Sequence, residues 1–271
     1  MTAALLAIGI FVLGCSKGEG QSAKRVLRLA TTTSTRDSGL LDKLLPDFEK
    51  ANECRIDVVA VGTGAAIKLG EAGDADVVMV HARKAEEAFM AAKHGVRHEE
   101  FMYNDFVLLG PEEDPAKVRN VDPIEALKMI ADGKCKFVSR GDDSGTHKRE
   151  MSLWEKAAVE PAWDDYLESG QGMGPTLVMA DEMQAYVLAD MGTYLNFRES
   201  MDLVPLATSA ESLRNPYAAM VVNPDKHEKI DLELANALVD FLISDETQRR
   251  IAGYQIAGQQ LFYPTRLDSK H

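Results

Sequence analysis

Three short segments of the 271-residue chain combine hydroxyls, glycines and charge in a pattern suited to holding an anion. They are Thr31-Thr32-Thr33-Ser34-Thr35, Gly62-Thr63-Gly64-Ala65-Ala66, and Ser139-Arg140-Gly141-Asp142-Asp143-Ser144-Gly145-Thr146-His147. Each follows a run of strand-type apolar residues and precedes a helical period. A helix start offers unpaired backbone N–H groups and partial positive charge. Ser and Thr add hydroxyl donors, and Gly lets the backbone approach a ligand closely. One such cluster reads as an N-cap. Three of them, all at the carboxyl ends of strands where α/β proteins bind ligands, point to a cage for a small oxyanion. The candidate donors are Thr32, Thr33, Ser34, Thr63, Gly64, Ala65, Ser144, Gly145 and Thr146. Arg140 supplies a permanent cation with a planar fork of donors that matches a tetrahedral dianion. Its alternative is an ion pair with Asp142 or Asp143. Arg36, beyond the threonine run, is the weaker cation and equally a surface charge. Asp142 and Asp143 divide the ligands further. Each is a helix cap, or an acceptor for a protonated ligand such as hydrogen phosphate; a fully deprotonated dianion asks for donors only.

The same residues do not make an enzyme. Ser144, His147 and Asp142 are neighbours at one helix start, whereas a catalytic relay is assembled from distant segments. There is no G-x-S-x-G elbow and no G-x-x-x-x-G-K-[ST] phosphate loop. His94 and His98 share helical spacing, but beside Glu99 and Glu100 they read as a solvated surface rather than a metal site. No catalytic residue, cofactor or cation-binding metal centre is expected.

Composition constrains the partners. The net charge is -13, from 43 acidic against 30 basic residues, which excludes a broad nucleic-acid surface. The same field repels an anion from bulk, so capture must come from short-range contacts. Residues 2–14, TAALLAIGIFVLG, form an apolar run too short to span a bilayer and suited to an export signal. It ends in Val12-Leu13-Gly14-Cys15, a bacterial lipoprotein cleavage box in which Cys15 becomes the lipidated first residue, although no Lys or Arg precedes the run. Residues 1–22 are therefore expected to be leader and tether, and the protein exported, periplasmic or at the cell surface, meeting the membrane only through a lipid anchor. Cys54 and Cys135 are expected as reduced, buried thiols, because a bridge between lobes would freeze the cleft.

These clusters need elements to position them. Strands are expected at 26–30, 55–61, 76–80, 106–110, 136–140, 203–207 and 217–223. Helices are expected after each cluster and at 122–133, 181–190, 231–243 and 245–253, with Pro46 kinking or splitting the helix of Leu40, Leu41, Leu44, Leu45 and Phe48. The strand, turn, helix plan occurs twice, about a hundred residues apart. This gives an α/β fold of two lobes, each a mixed sheet flanked by helices, with the ligand cleft between them. Residues 23–107 with 219–271 form lobe I and 108–218 lobe II, with hinges near 106–110 and 217–222.

The strings Thr31-Thr32-Thr33-Ser34-Thr35, Ala60-Val61-Gly62-Thr63-Gly64, Tyr103-Asn104-Asp105-Phe106-Val107-Leu108-Leu109-Gly110, Ser139 to His147 and Asn215-Pro216-Tyr217 resemble the tungstate-binding proteins of Tup-type ABC transporters. The likeness runs in order over about residues 25–265. It implies a type II periplasmic-binding fold, tungstate as ligand with molybdate tolerated, and delivery to a permease and ATPase by a monomer. It places the Thr32-Thr33-Ser34 turn and Thr63-Gly64-Ala65 on the anion from lobe I. Arg140, Ser144 and Thr146 face it from lobe II. A phosphate-binding protein of the same fold is the alternative ligand reading. An anion-sensing regulatory domain is the alternative from another class, opposed by the lipobox and by the lack of a helix-turn-helix.

Overall fold

The computed structural model describes residues 24–208 and 210–267, so the leader and Cys15 lie outside the described residues. In chain order the main elements are β1 (Arg25–Thr32), α1 (Thr33–Asp37), α2 (Leu40–Ala51), β2 (Cys54–Val61), α3 (Thr63–Ala72), β3 (Val77–Val80), α4 (Arg83–Ala91) and β4 (Gly95–Gly110). Then follow α5 (Pro123–Asp132), β5 (Phe137–Ser139), α6 (Gly145–Lys156), β6 (Tyr166–Glu168), α7 (Met173–Met183), β7 (Val187–Asp190), α8 (Met191–Phe197) and β8 (Val204–Ala207). The chain closes with β9 (Arg214–Val222), α9 (Leu232–Ile243), α10 (Asp245–Ala252) and the two-residue strands β10 (Gln255–Ile256), β11 (Gln259–Gln260) and β12 (Tyr263–Pro264).

β1 lies between β2 and β3, parallel to both. β3 meets β9 antiparallel, and β9 meets β4. Alternation along these strands feeds two cores. Leu27, Leu29, Val77 and Met79 face α2 and α9, packing on Leu44, Phe48, Leu238 and Leu242. Ala30, Val78 and Val80 face Ile67 and Phe89. β4 is shared: Gly95 to Asp105 pairs with β9, and Phe106 to Gly110 pairs with β7 and β8. Its second half builds another pair of cores. Phe106 and Leu108 pack with Phe137, Trp154 and Tyr186, whereas Val107 and Leu109 pack with Val138, Leu177 and Val187.

Three expectations are corrected. Pro46 does not split its helix, which runs unbroken from Leu40 to Ala51. Leu40, Leu41, Leu44, Leu45 and Phe48 anchor both halves on the sheet, and this burial outweighs the missing backbone hydrogen bond. Residues 181–190 are not a helix: α7 ends at Met183, Gln184 turns left-handed with φ 50°, and Val187–Asp190 is β7. A short apolar run gives a strand and a buried helix segment the same periodicity, and pairing with β4 decides it. Cys54 and Cys135 are both free thiols, but only Cys54 is buried; Cys135 is partly exposed beside the Gly133-Lys134 turn. Burial pushes both thiols up from the usual cysteine range, which favours the protonated form.

Candidate oxyanion-binding cleft

Every candidate donor residue, and Arg140, lines one cleft of about 720 Å³. Thr32, Thr33, Ser34, Thr63, Gly64 and Ala65 come from the β1–β3 side, and Arg140, Ser144, Gly145 and Thr146 from the side built on β5 and α6. Arg36 is absent from the lining and pairs with Asp37 at 2.8 Å.

The first wall is a knot of hydroxyls. Thr32 caps α1, its Oγ1 accepting from Thr35 N at 3.2 Å. The same oxygen lies 2.6 Å from Thr35 Oγ1 and 3.1 Å from Ser34 Oγ. Capping uses a lone pair and leaves the O–H free to donate, so cap and ligand donor are compatible roles for one hydroxyl. α1 has only five residues, so the hydroxyls matter more here than any helix dipole. Gly39, with φ 75°, then resets the chain into α2. The second wall is the start of α3. No side chain caps it, and a Cβ placed on Gly62 or Gly64 would meet nothing within 4 Å. These residues line the cleft with no side chain capping their backbone donors.

The third wall carries the charge. The chain leaves β5 through Ser139, buried, whose Oγ donates to Glu150 Oε2 at 2.8 Å. Gly170 N and Ser169 Oγ donate to the Arg140 carbonyl at 2.9 and 3.3 Å. Gly141 follows with φ 60°, against Glu168, where a Cβ would sit 2.7 Å from the Glu168 Cβ. Ser144 then caps α6, accepting from His147 N at 3.3 Å. Arg140 forms an ion pair with Asp142, while its Nε is buried with no partner. Burial alone would raise the Asp142 carboxyl; hydrogen bonds from Ser144 and the Arg140 guanidinium overcome this and hold it below the usual carboxylate range. The cap reading of Ser144 and the ion-pair reading of Arg140 are thus both realised, and each leaves a donor for the cleft.

Several lining residues were missed from sequence. His81 follows the buried β3, at the same edge as the threonine cluster, with Nε2 3.3 Å from both Thr32 Oγ1 and Ser34 Oγ. Asn104 and Asn215, on β4 and β9, are joined by a 2.9 Å hydrogen bond from Asn215 Nδ2. Asp190 and Thr193 open α8, and Gly172-Met173-Gly174 opens α7. A signal was present for His81, a polar residue ending an apolar strand, and for the glycine-rich turn before α7. None marked Asp190, because the strand ahead of it read as helix.

Ser34 gives a direct test of the hydroxyl knot. Ser34→Ala is expected to weaken oxyanion binding by about 1.5–3 kcal/mol, the worth of one neutral donor to a charged acceptor. Isothermal titration calorimetry measures this; an unchanged affinity would remove Ser34 from the cage.

A family model described as a PBP superfamily domain matches residues 18–246. The chain is 45% identical over 273 residues to the tungstate-binding protein TupA of Peptoclostridium acidaminophilum, covering 96% of each. Among solved structures it is similar to the tungstate-binding protein TupA from Desulfovibrio alaskensis G20, with TM-score 0.84 and 41% identity over 89% of this chain and 99% of that one. It is also similar to the tungstate ABC transporter structure from Geobacter sulfurreducens, with TM-score 0.76 and 50% identity over 86% of this chain and 100% of that one. The chain therefore belongs to the PBP superfamily and, within it, to the TupA-like tungstate-binding proteins.

Proposed function

We propose that the cleft captures tungstate, with molybdate accepted, and that the protein delivers it outside the cytoplasm to the permease of an ABC transporter. Arg140 carries the reading: a cleft-lining guanidinium, its buried Nε without a protein acceptor, beside hydroxyls and backbone N–H groups from three turns. The cleft's carboxylates favour a fully deprotonated anion over hydrogen phosphate. Asp37 pairs with Arg36, Asp142 with Arg140, Asp143 with Lys148, and Asp190 accepts from Thr193. Each has a protein donor, which is consistent with an anion that brings no proton of its own.

The anion docks on one wall and the other closes over it. The lobes proposed are 23–107 with 219–271, and 108–218. β4 supports a hinge near 106–110, because it exchanges its partner β9 for β7 between Asp105 and Phe106. Closure contributes most of the affinity, since only then do donors from both sides reach every oxygen and exclude water. The protein works as a monomer tethered by lipid at Cys15, a reading supported by the Val12-Leu13-Gly14-Cys15 box.

Competitive calorimetry with tungstate, molybdate, sulfate and phosphate tests the ligand. Tungstate is expected to displace the other anions. Tight phosphate binding with no heat from tungstate would overturn the assignment.

A further inference from the structure

His81 stands at the floor of the cleft, its ring stacked on Tyr217 with centroids 4.6 Å apart and its edge open to the ligand space. Nδ1 lies 3.1 Å from Asn215 Oδ1. Asn215 donates through Nδ2 to Asn104 Oδ1 at 2.9 Å, so the atom it turns to His81 is an acceptor and Nδ1 carries the hydrogen. In a neutral ring, Nε2 is then a lone pair. Its neighbours at 3.3 Å are the Thr32 and Ser34 hydroxyls, either of which can donate to it.

The oxyanion needs those same hydrogens. A hydroxyl has a single O–H and cannot serve Nε2 and the anion together. Once Thr32 and Ser34 turn to the anion, the Nε2 lone pair faces two hydroxyl lone pairs beside a dianion. A proton on Nε2 resolves the conflict: the hydrogen bond reverses, N–H now donating, and a positive charge stands next to the ligand.

The charges around the ring allow this. Glu86 on α4 faces it, tied to Ala82 N and to His98. Asp190 at the end of β7 faces it, tied to Thr193. Arg149 on α6 is the facing cation, donating to the Arg214 carbonyl. Tyr217 on β9 is neutral, its phenol pushed up by burial. Burial lowers the His81 pKa from the usual imidazole value, against the Asn215 bond and the two carboxylates and with Arg149 adding to the lowering, so the ring is neutral in the empty cleft. The lining itself has Arg140 and Lys148 already paired with Asp142 and Asp143, which leaves a dianion short of countercharge.

We infer that His81 is an anion-binding residue that enters the complex protonated: Nε2 takes a proton from solvent with each dianion, and the imidazolium stands as a second cation beside Arg140. This rests on the cleft being the oxyanion site. The sign follows from linkage. The bound-state pKa lies above the free-state one, so affinity rises as pH falls through the bound value, by up to about tenfold per pH unit, and levels off below the free value.

The test is calorimetry of the full chain with micromolar sodium tungstate in phosphate-free buffers of low and high ionisation enthalpy, between pH 6.5 and 8. The dependence of heat on buffer is expected to show uptake approaching one proton per anion. His81→Gln keeps an amide but does not titrate, and its uptake should fall to near zero with affinity independent of pH. His147→Gln, removing the imidazole that accepts from Asp143 N at 3.0 Å, should leave the uptake in place. Should His81→Gln misfold, 15N spectra of histidine-labelled native protein decide: tungstate is expected to move Nε2 of His81 from the unprotonated to the protonated range while Nδ1 stays. Tungstate binding without proton uptake, uptake that survives His81→Gln, uptake lost in His147→Gln, or an Nε2 that stays unprotonated would each overturn the inference. Absence of any tungstate heat in the native chain would instead overturn the site.

Discussion

Arg140→Ala is expected to weaken tungstate binding by about 3–5 kcal/mol, on the order of a thousandfold in affinity. Two effects add. The substitution removes a guanidinium that lines the cleft and whose buried Nε has no protein partner. It also releases Asp142, whose carboxylate is held by Arg140 and by Ser144 and would then face the anion with less compensation. Arg140→Lys should recover only part of the loss, because an ammonium restores the charge without the planar fork. Stability should change little. The Arg140 side chain pairs only with a neighbour two residues away, and the loop is held through its backbone carbonyl and Ser139. Calorimetry of binding beside thermal unfolding of the same variants separates these effects. An Arg140→Ala protein with wild-type affinity would dismiss the residue from the site.

Glu150→Ala is expected to cost about 3–5 kcal/mol of folding stability. Glu150 is 1% exposed and accepts from Ser139 Oγ at 2.8 Å, Trp154 Nε1 at 3.0 Å and the Tyr166 hydroxyl at 2.8 Å. Alanine leaves these donors without their acceptor in a core lined by Phe137, Trp154 and Tyr166. Urea unfolding measures the loss. Binding should suffer as well, since Ser139 precedes Arg140 and fixes where the guanidinium starts. A pH signature accompanies this. Burial raises the Glu150 carboxyl above its ordinary range, against the three donors that favour its charge. A raised carboxyl binds its proton more tightly folded than unfolded. Its contribution is complete below the ordinary glutamate value and is lost as pH rises towards the raised one. Glu150→Gln should remove that part of the slope, and an unchanged profile would assign the slope to other groups.

The donor set was legible in the sequence because its chemistry is local. A helix start, its cap and the turn before it are written in consecutive residues. Thr32-Thr33-Ser34, Thr63-Gly64-Ala65 and Arg140 with Ser144-Gly145-Thr146 could therefore be named together, and all line one cleft. The caps at Thr32 and Ser144 follow the same local rule. Short runs of strand-type residues were local too, and they located β1, β2 and β3 to within two residues at each end.

What sequence left open depended on partners far along the chain. The segment 181–190 carries an apolar run that suits either element. It became a strand because Val187–Asp190 could pair with Phe106–Leu109, some eighty residues earlier. Pro46 forfeits one hydrogen bond, but the sheet under α2 offsets the loss. The role of His81 needs contacts from three segments: hydroxyls at 32 and 34, an amide at 215, and an aromatic face at 217. The sequence by itself determined that the chain holds donor-rich turns suited to an oxyanion. The tertiary structure alone decided which of their hydrogens are already engaged, and by whom. A hydrogen bond is a fact about distance, and distance between remote residues is set only when the cores close.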